Sequence, residues 1–354
     1  MAEAVSSSGT MRKQLPSVLQ ILCLLLLIAI LITSCTSQPS DCSREDVFCI
    51  GMVTAYEGVD NHGLNQASWE ALQNIESQTQ TARLDYIESI DTRDWQKNIV
   101  FFGDNGYDVI VTVGVNLSEP MIEAAIEYPH ILFIGVDQQP EEVYENIATI
   151  HFVEEQAGFL AGVLAAMVTE SGKVGAVCET SGIDAVWRYC EGFRAGALHA
   201  DDEVDIYIEY REDGSRDKIF NDPEWGEQQA LHLIDDGVDI LSGYGGNTTQ
   251  GAFLAASEEK TLIIGGEEDL YFRLPDSQPV LVTSIIKDPS VELSYLVLMA
   301  SQGEVPFGQH TGQIIYKPLQ NLPKQTPGEV EMKLKDTYDA LLEGIIEINL
   351  PEKD

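Results

Sequence analysis

Tyr107-Asp108-Val109-Ile110-Val111-Thr112-Val113 is a short apolar run rich in β-branched residues. Similar runs recur at 47–54, 131–136, 173–177, 204–210, 238–241, 261–264 and 280–286. Segments with helical spacing separate them. That alternation is the signature of repeated βαβ units, in which parallel strands are covered by helices, and it predicts an α/β fold. Roughly 300 residues of it exceed one comfortable core, so two lobes are expected. In open α/β sheets ligands sit outside the carboxyl ends of the strands, so the loops after these runs are where chemistry is sought.

Helical segments are recognisable by their punctuation. Ala67, Ala71 and Leu72 fall on one face of the segment that begins at Asn65. Residues 154–169 carry Phe159, Leu160, Val163, Leu164 and Met167 among Gly158, Ala161, Gly162, Ala165 and Ala166. So many small residues predict a helix lying close on a sheet. Asp222-Pro223-Glu224 reads as a helix start, with a capping carboxylate and Pro at the first position. Residues 329–346 read as an amphipathic helix that turns Met332, Leu334, Tyr338, Leu341, Leu342 and Ile345 toward the body.

The chain has 354 residues, 44% of them hydrophobic, which excludes disorder, collagen and a multi-span membrane protein. With 20 Lys plus Arg against 58 Asp plus Glu, the net charge is −38. So acidic a surface repels phosphate backbones, and no nucleic-acid partner is expected. The sequence holds no G-x-S-x-G, H-E-x-x-H, G-x-x-x-x-G-K-[ST] or EF-hand pattern, and its six histidines are scattered. Neither enzymatic activity, nor a cofactor, nor a metal is therefore expected. Gly243-Tyr244-Gly245-Gly246 is a tight turn that could present backbone N–H groups to a ligand.

The amino terminus reads as an address. Arg12 and Lys13 precede an apolar run at 18–32 that is too short to span a bilayer, and Ile32-Thr33-Ser34-Cys35 resembles a bacterial lipobox. Residues 1–34 are expected to be a lipoprotein signal peptide, with Met11 as an alternative start, and Cys35 the acylated residue. Residues 35–46 would then be a tether from the membrane. Without the leader, 18 basic and 57 acidic residues remain, a net −39. Beyond Cys23 and Cys35, the four cysteines Cys42, Cys49, Cys178 and Cys190 suggest disulfides in an exported chain, with three possible pairings. The sequence-local pairing, Cys42 with Cys49 and Cys178 with Cys190, is preferred.

Gly58-Val59-Asp60-Asn61-His62-Gly63-Leu64-Asn65-Gln66-Ala67-Ser68-Trp69-Glu70 resembles the first loop–helix motif of the basic membrane protein family, the PnrA-like substrate-binding lipoproteins of ABC importers. Tyr107-Asp108-Val109-Ile110, Ile134-Gly135-Val136-Asp137, Glu155-Gln156-Ala157-Gly158-Phe159-Leu160-Ala161-Gly162 and Glu191-Gly192-Phe193-Arg194-Ala195-Gly196-Ala197 follow in order. Phe220-Asn221-Asp222-Pro223, Gly237-Val238-Asp239-Ile240 and Leu281-Val282-Thr283-Ser284-Ile285-Ile286-Lys287 complete the series.

The resemblance implies a type I periplasmic-binding-protein fold, with two doubly wound lobes, three crossover segments and a ligand cleft between them. It implies a monomer, lipid-anchored on the outer face of the cell membrane, that delivers a purine nucleoside to permease subunits. It places the first lobe at 47–150 and 283–304 and the second at 151–282 and 305–354. Ligand contacts carry over to Asn65, Asp137, Phe220, Gly245, Gly246, Glu267, Asp269 and Lys287, with Glu267 standing where the family has an aspartate. Two positions depart: Ala55 replaces a base-contacting aspartate, and Leu64 replaces one of two stacking phenylalanines. Tyr56, His62, Trp187 and Tyr244 are candidates for a substitute surface. The loss of the stacking ring at Leu64 keeps open a different polar solute such as a sugar derivative, and a sensing receptor without transport is a further alternative.

Overall fold

The computed structural model describes residues 42, 44, 46–55, 57–79, 82–212, 218–322 and 327–353; the leader, Cys35 and Tyr56 lie outside them. The first lobe begins with β1 (Phe48–Thr54), α1 (Leu64–Gln78), β2 (Ala82–Glu88), α2 (Trp95–Asp104), β3 (Val109–Val113), α3 (Ser118–Glu127), β4 (Leu132–Val136) and β5 (Ile147–His151). The second holds α4 (Glu154–Val168), β6 (Lys173–Cys178), α5 (Asp184–Ala200), β7 (Asp205–Tyr210), α6 (Pro223–Asp235), β8 (Ile240–Tyr244), α7 (Gly246–Glu258), β9 (Leu262–Glu267), α8 (Leu270–Arg273) and β10 (Leu281–Asp288). The chain then continues through α9 (Ser290–Ser301), β11 (Gly308–Thr311), β12 (Gln313–Tyr316) and α10 (Pro327–Leu342).

The strands form two six-stranded sheets, ordered β11-β5-β4-β3-β1-β2 and β12-β10-β9-β8-β6-β7. Every pairing is parallel except that of β12 with β10. In each sheet the strand order reverses once, between β1 and β3 and between β6 and β8, which is where open α/β sheets make their ligand crevice. The eight apolar runs became β1, β3, β4 and β6 to β10. The strands that carried no run lie mostly at edges. β2 pairs with β1 alone and leaves most of its side chains exposed or half-buried, so polar residues suffice there.

Three passages join the sheets, and two fall at different points from those expected. The first is at Phe152-Val153. β10 pairs with β9 and β12 in the second sheet, so the return to the first lobe comes after Asp288, not at 283. β11 pairs with β5, so the last passage is at Gly312, not after 304. Backbone pairing decides these points, and apolar spacing carries no record of which sheet a strand joins. The last passage lies tightly on the first: the Gly312 N–H donates to the His151 carbonyl at 2.8 Å, and a Cβ there would overlap the Phe152 ring.

The small residues of α4 serve a helix neighbour. A side chain at Gly158 or Gly162 would collide with the carbonyls of Tyr189 or Phe193 on α5, and one at Gly196 with that of Phe159. Two helices therefore pack backbone to backbone, where a helix on a sheet was expected. Asp222 does precede α6, but its carboxylate pairs with Lys218 at 2.9 Å and makes no cap bond. On α10 the buried residues are Val330, Leu334 and Leu341, while Met332 and Leu342 are exposed, and the helix ends at Leu342, short of the expected 346, leaving Ile345 exposed beyond it, so the apolar face is narrower and shorter than expected. Both sequence-local disulfides form: Cys42–Cys49 tethers the chain to β1, and Cys178–Cys190 joins the end of β6 to α5. Among the described residues no helix is long and apolar enough to cross a membrane.

Candidate functional site

The carboxyl ends of both sheets contribute loops with an unusual backbone. Seven non-glycine residues among those described have positive φ, and five of them, Glu57, His62, Asp137, Phe220 and Glu267, lie at or after the carboxyl ends of strands. Each costs roughly 1–3 kcal/mol and persists only where the surroundings over-determine it, as at ligand sites. Four of the five are residues the sequence singled out.

Lys287, near the end of β10, lies at the centre of the charged cluster. Its ammonium lies 2.7 Å from Asp137 Oδ1, at the end of β4 in the opposite lobe, and 3.0 Å from Glu154 Oε1. Phe152 and Tyr189 present their rings 5.4 and 5.7 Å from Nζ. Burial works against the ammonium charge, but the Asp137 and Glu154 carboxylates outweigh it and hold the pKa well above the ordinary lysine value. Burial likewise opposes the charge of Glu154, and Lys287 and Arg188 reverse the balance to bring its pKa below normal. Two of the three Lys287 donors are thereby used, and neither Lys287 nor Asp137 is among the residues lining the cavities at Phe220 and at His62.

Glu267 accepts the Gly245 N–H at 3.2 Å, yet burial keeps its pKa raised against the pull of Lys287. Gly245 (φ 152°) and Gly246 (φ 56°) open α7 in a conformation that favours glycine, and the Asn247 N–H donates to the Phe220 carbonyl at 3.0 Å. Phe220, Gly246, Glu267 and Glu268 consequently line one cavity of about 200 Å³. His62, Gln66, Glu70, Asp269, Phe272 and Lys317 line a second, of about 300 Å³, between the lobes.

Other candidates have different duties. Asn65 is buried and its amide braces the loop after β1, donating to the carbonyls of Glu57 and Gly58. Asp269 caps α8 through the Tyr271 N–H and lies 3.7 Å from Lys317. Tyr244 is 1% exposed and stacks on Tyr189 with ring centroids 4.5 Å apart, a core position. Trp187 sits on α5 under the ammonium of Lys353 and is not among the residues lining either cavity. Ala55 offers only its carbonyl, to Trp95 Nε1 at 2.9 Å, and Leu64 packs against the core. Sequence reading missed Glu154, Arg188 and Tyr189. The Tyr189 hydroxyl is buried with no hydrogen-bond partner among the described residues. The acidic start of α4 was the available signal for Glu154, but nothing in its spacing pointed to Lys287.

Two parallel-sheet lobes with a charged cleft at their carboxyl ends define a two-lobed α/β fold. The chain belongs to the PnrA-like family of ABC transporter substrate-binding proteins, whose model matches residues 49–317. It is 26% identical over 326 residues to the CD4+ T-cell-stimulating antigen of Listeria monocytogenes, covering 86% of this chain and 88% of that one. It is also 26% identical over 275 residues to the ABC transporter nucleoside-binding protein BmpA of Lactococcus lactis, covering 73% and 76%. Among solved structures, an ABC transporter solute-binding protein from Conexibacter woesei superposes with a TM-score of 0.72 at 19% identity, covering 86% of this chain and 99% of the other. One from Aeropyrum pernix does so at 0.65 and 18%, covering 86% and 94%. These likenesses bear on the fold.

Proposed function

We propose that this protein is a lipid-anchored receptor, held outside the cell membrane through Cys35, whose lobes close on a purine nucleoside or close analogue and hand it to an ABC importer. The observation that carries the reading is Lys287, held charged between Asp137 and Glu154 at the junction of the lobes. Phe220 borders a cavity together with Glu267 and Glu268, which pairs a ring face for a base with carboxylate acceptors for sugar hydroxyls. The name of the Lactococcus lactis relative points the same way. Leu64 and Ala55 remove one ring and one carboxylate from the family pattern, so recognition of the base must lean on other groups.

A thermal-shift screen of inosine, guanosine and adenosine tests the ligand. Binding to the folded state alone raises the midpoint, by about 2.7 kcal/mol of stability at a hundred times Kd. Lys287→Ala should abolish the shift. A shift with sugars and none with any nucleoside would replace this ligand with another polar solute. For the anchor, Cys35→Ala should release the protein from membranes into the soluble fraction, and continued membrane retention would refute acylation at Cys35.

A further inference from the structure

At the mouth of the cleft, contacts between the lobes converge on one short helix. Arg273 of α8 reaches Glu57 in the first lobe, Nη2 to Oε1 at 2.7 Å, and its Nε lies 3.2 Å from Glu268 Oε2. The Asp269 N–H, at the start of the same helix, donates to the His62 carbonyl at 3.0 Å. Phe272 stacks on the His62 ring at 5.4 Å and 27°. An ion pair, a backbone hydrogen bond and a ring stack thus join the same two loops. Both first-lobe partners, Glu57 (φ 59°) and His62 (φ 55°), hold left-handed backbone, which persists only where the surroundings over-determine it. Phe272 is 56% exposed, so its ring has no core to fill.

We propose that α8 is a clasp that fastens the two lobes at the mouth of the cleft, through Arg273 on Glu57 and Phe272 on His62, and so prolongs the residence of a bound solute. The proposal deepens the binding-protein reading and rests on it for the solute. The clasp itself is a property of the lobes alone. A partly exposed ion pair contributes little by itself, but contacts that must break together to open the cleft act as one unit.

Amide hydrogen exchange on the full-length chain, with no solute added, tests it, because the Asp269 N–H is bonded across the cleft. Arg273→Gln and Glu57→Gln should each speed exchange at Asp269 roughly three- to fivefold, and the double variant should add little to either. Amides inside β9 should be unchanged. Phe272→Ala, which acts through a different contact, should speed Asp269 as well. Unchanged exchange at Asp269 in both Arg273→Gln and Phe272→Ala would overturn the clasp, as would independent, additive effects of the two glutamine substitutions. Failure of every nucleoside in the thermal screen would count against the ligand reading and leave this test intact.

Discussion

Glu268 sits at the mouth of the cleft, with Arg273 3.2 Å away and Glu57 and Glu267 near enough to repel its charge. Burial raises its pKa from 4.5 to about 7, with Arg273 opposing and the two neighbouring carboxylates adding to the rise. The folded protein therefore binds this proton more tightly than the unfolded chain does. The resulting stability is present at low pH and is lost as pH rises from about 4.5 through 7. Glu268→Gln, which keeps the shape without the charge, should match wild-type stability near pH 4 and exceed it increasingly up to about pH 7. Melting curves across that range would check this, and parallel curves would refute it. Asp137, Phe220, Glu267 and Lys287 were all chosen on the family resemblance. Their backbone strain and pairings were not legible, because left-handed φ in a non-glycine residue leaves no mark on composition. Tyr244 shows the converse, since a tyrosine beside a glycine turn reads as a cleft residue until its ring is found stacked on Tyr189 in the core.

The α4–α5 pair and its disulfide support one side of the site, because Glu154 begins α4 and Tyr189 and Arg188 lie on α5. Gly196→Ala would place a methyl against the Phe159 carbonyl and push the helices apart. The cost should be about 1–3 kcal/mol, as for other overpacked sites, read as a lower denaturant midpoint. Replacing Cys178 and Cys190 together by Ala removes a link spanning 12 residues. The expected loss is about 2–4 kcal/mol, and an unchanged urea midpoint would show that the crosslink adds nothing to stability. β5, buried but with Ala148 and Thr149 between its two isoleucines, went unread, whereas the other strands buried on both faces announced themselves as Val- and Ile-rich runs. β2, β11 and β12 did not, because edge strands and four-residue strands need little apolar surface. The glycines and alanines of α4 were visible from the start, but whether a sheet or a helix lay against them depends on a partner distant in sequence.

Across the whole molecule the net charge of −38 acts as mutual repulsion that opposes compaction. Salt shortens its reach, from about 30 Å at 0.01 M to about 10 Å at 0.1 M. The melting temperature should rise between those two ionic strengths, by a few degrees, and a flat or falling response would show that local ion pairs outweigh the excess. Two lobes of parallel sheet were determined by the sequence alone, because apolar periodicity is a local property that reads out directly, while the cleft between them followed from the family resemblance. The sheet joined by β10 and β11, the helix-to-helix role of the small residues, the Lys287 cluster and the clasp at Arg273 were decided only by tertiary structure. Each depends on groups as far apart as Glu57 and Arg273, or Asp137 and Lys287, and their meeting is a consequence of how the two sheets pack and cross over.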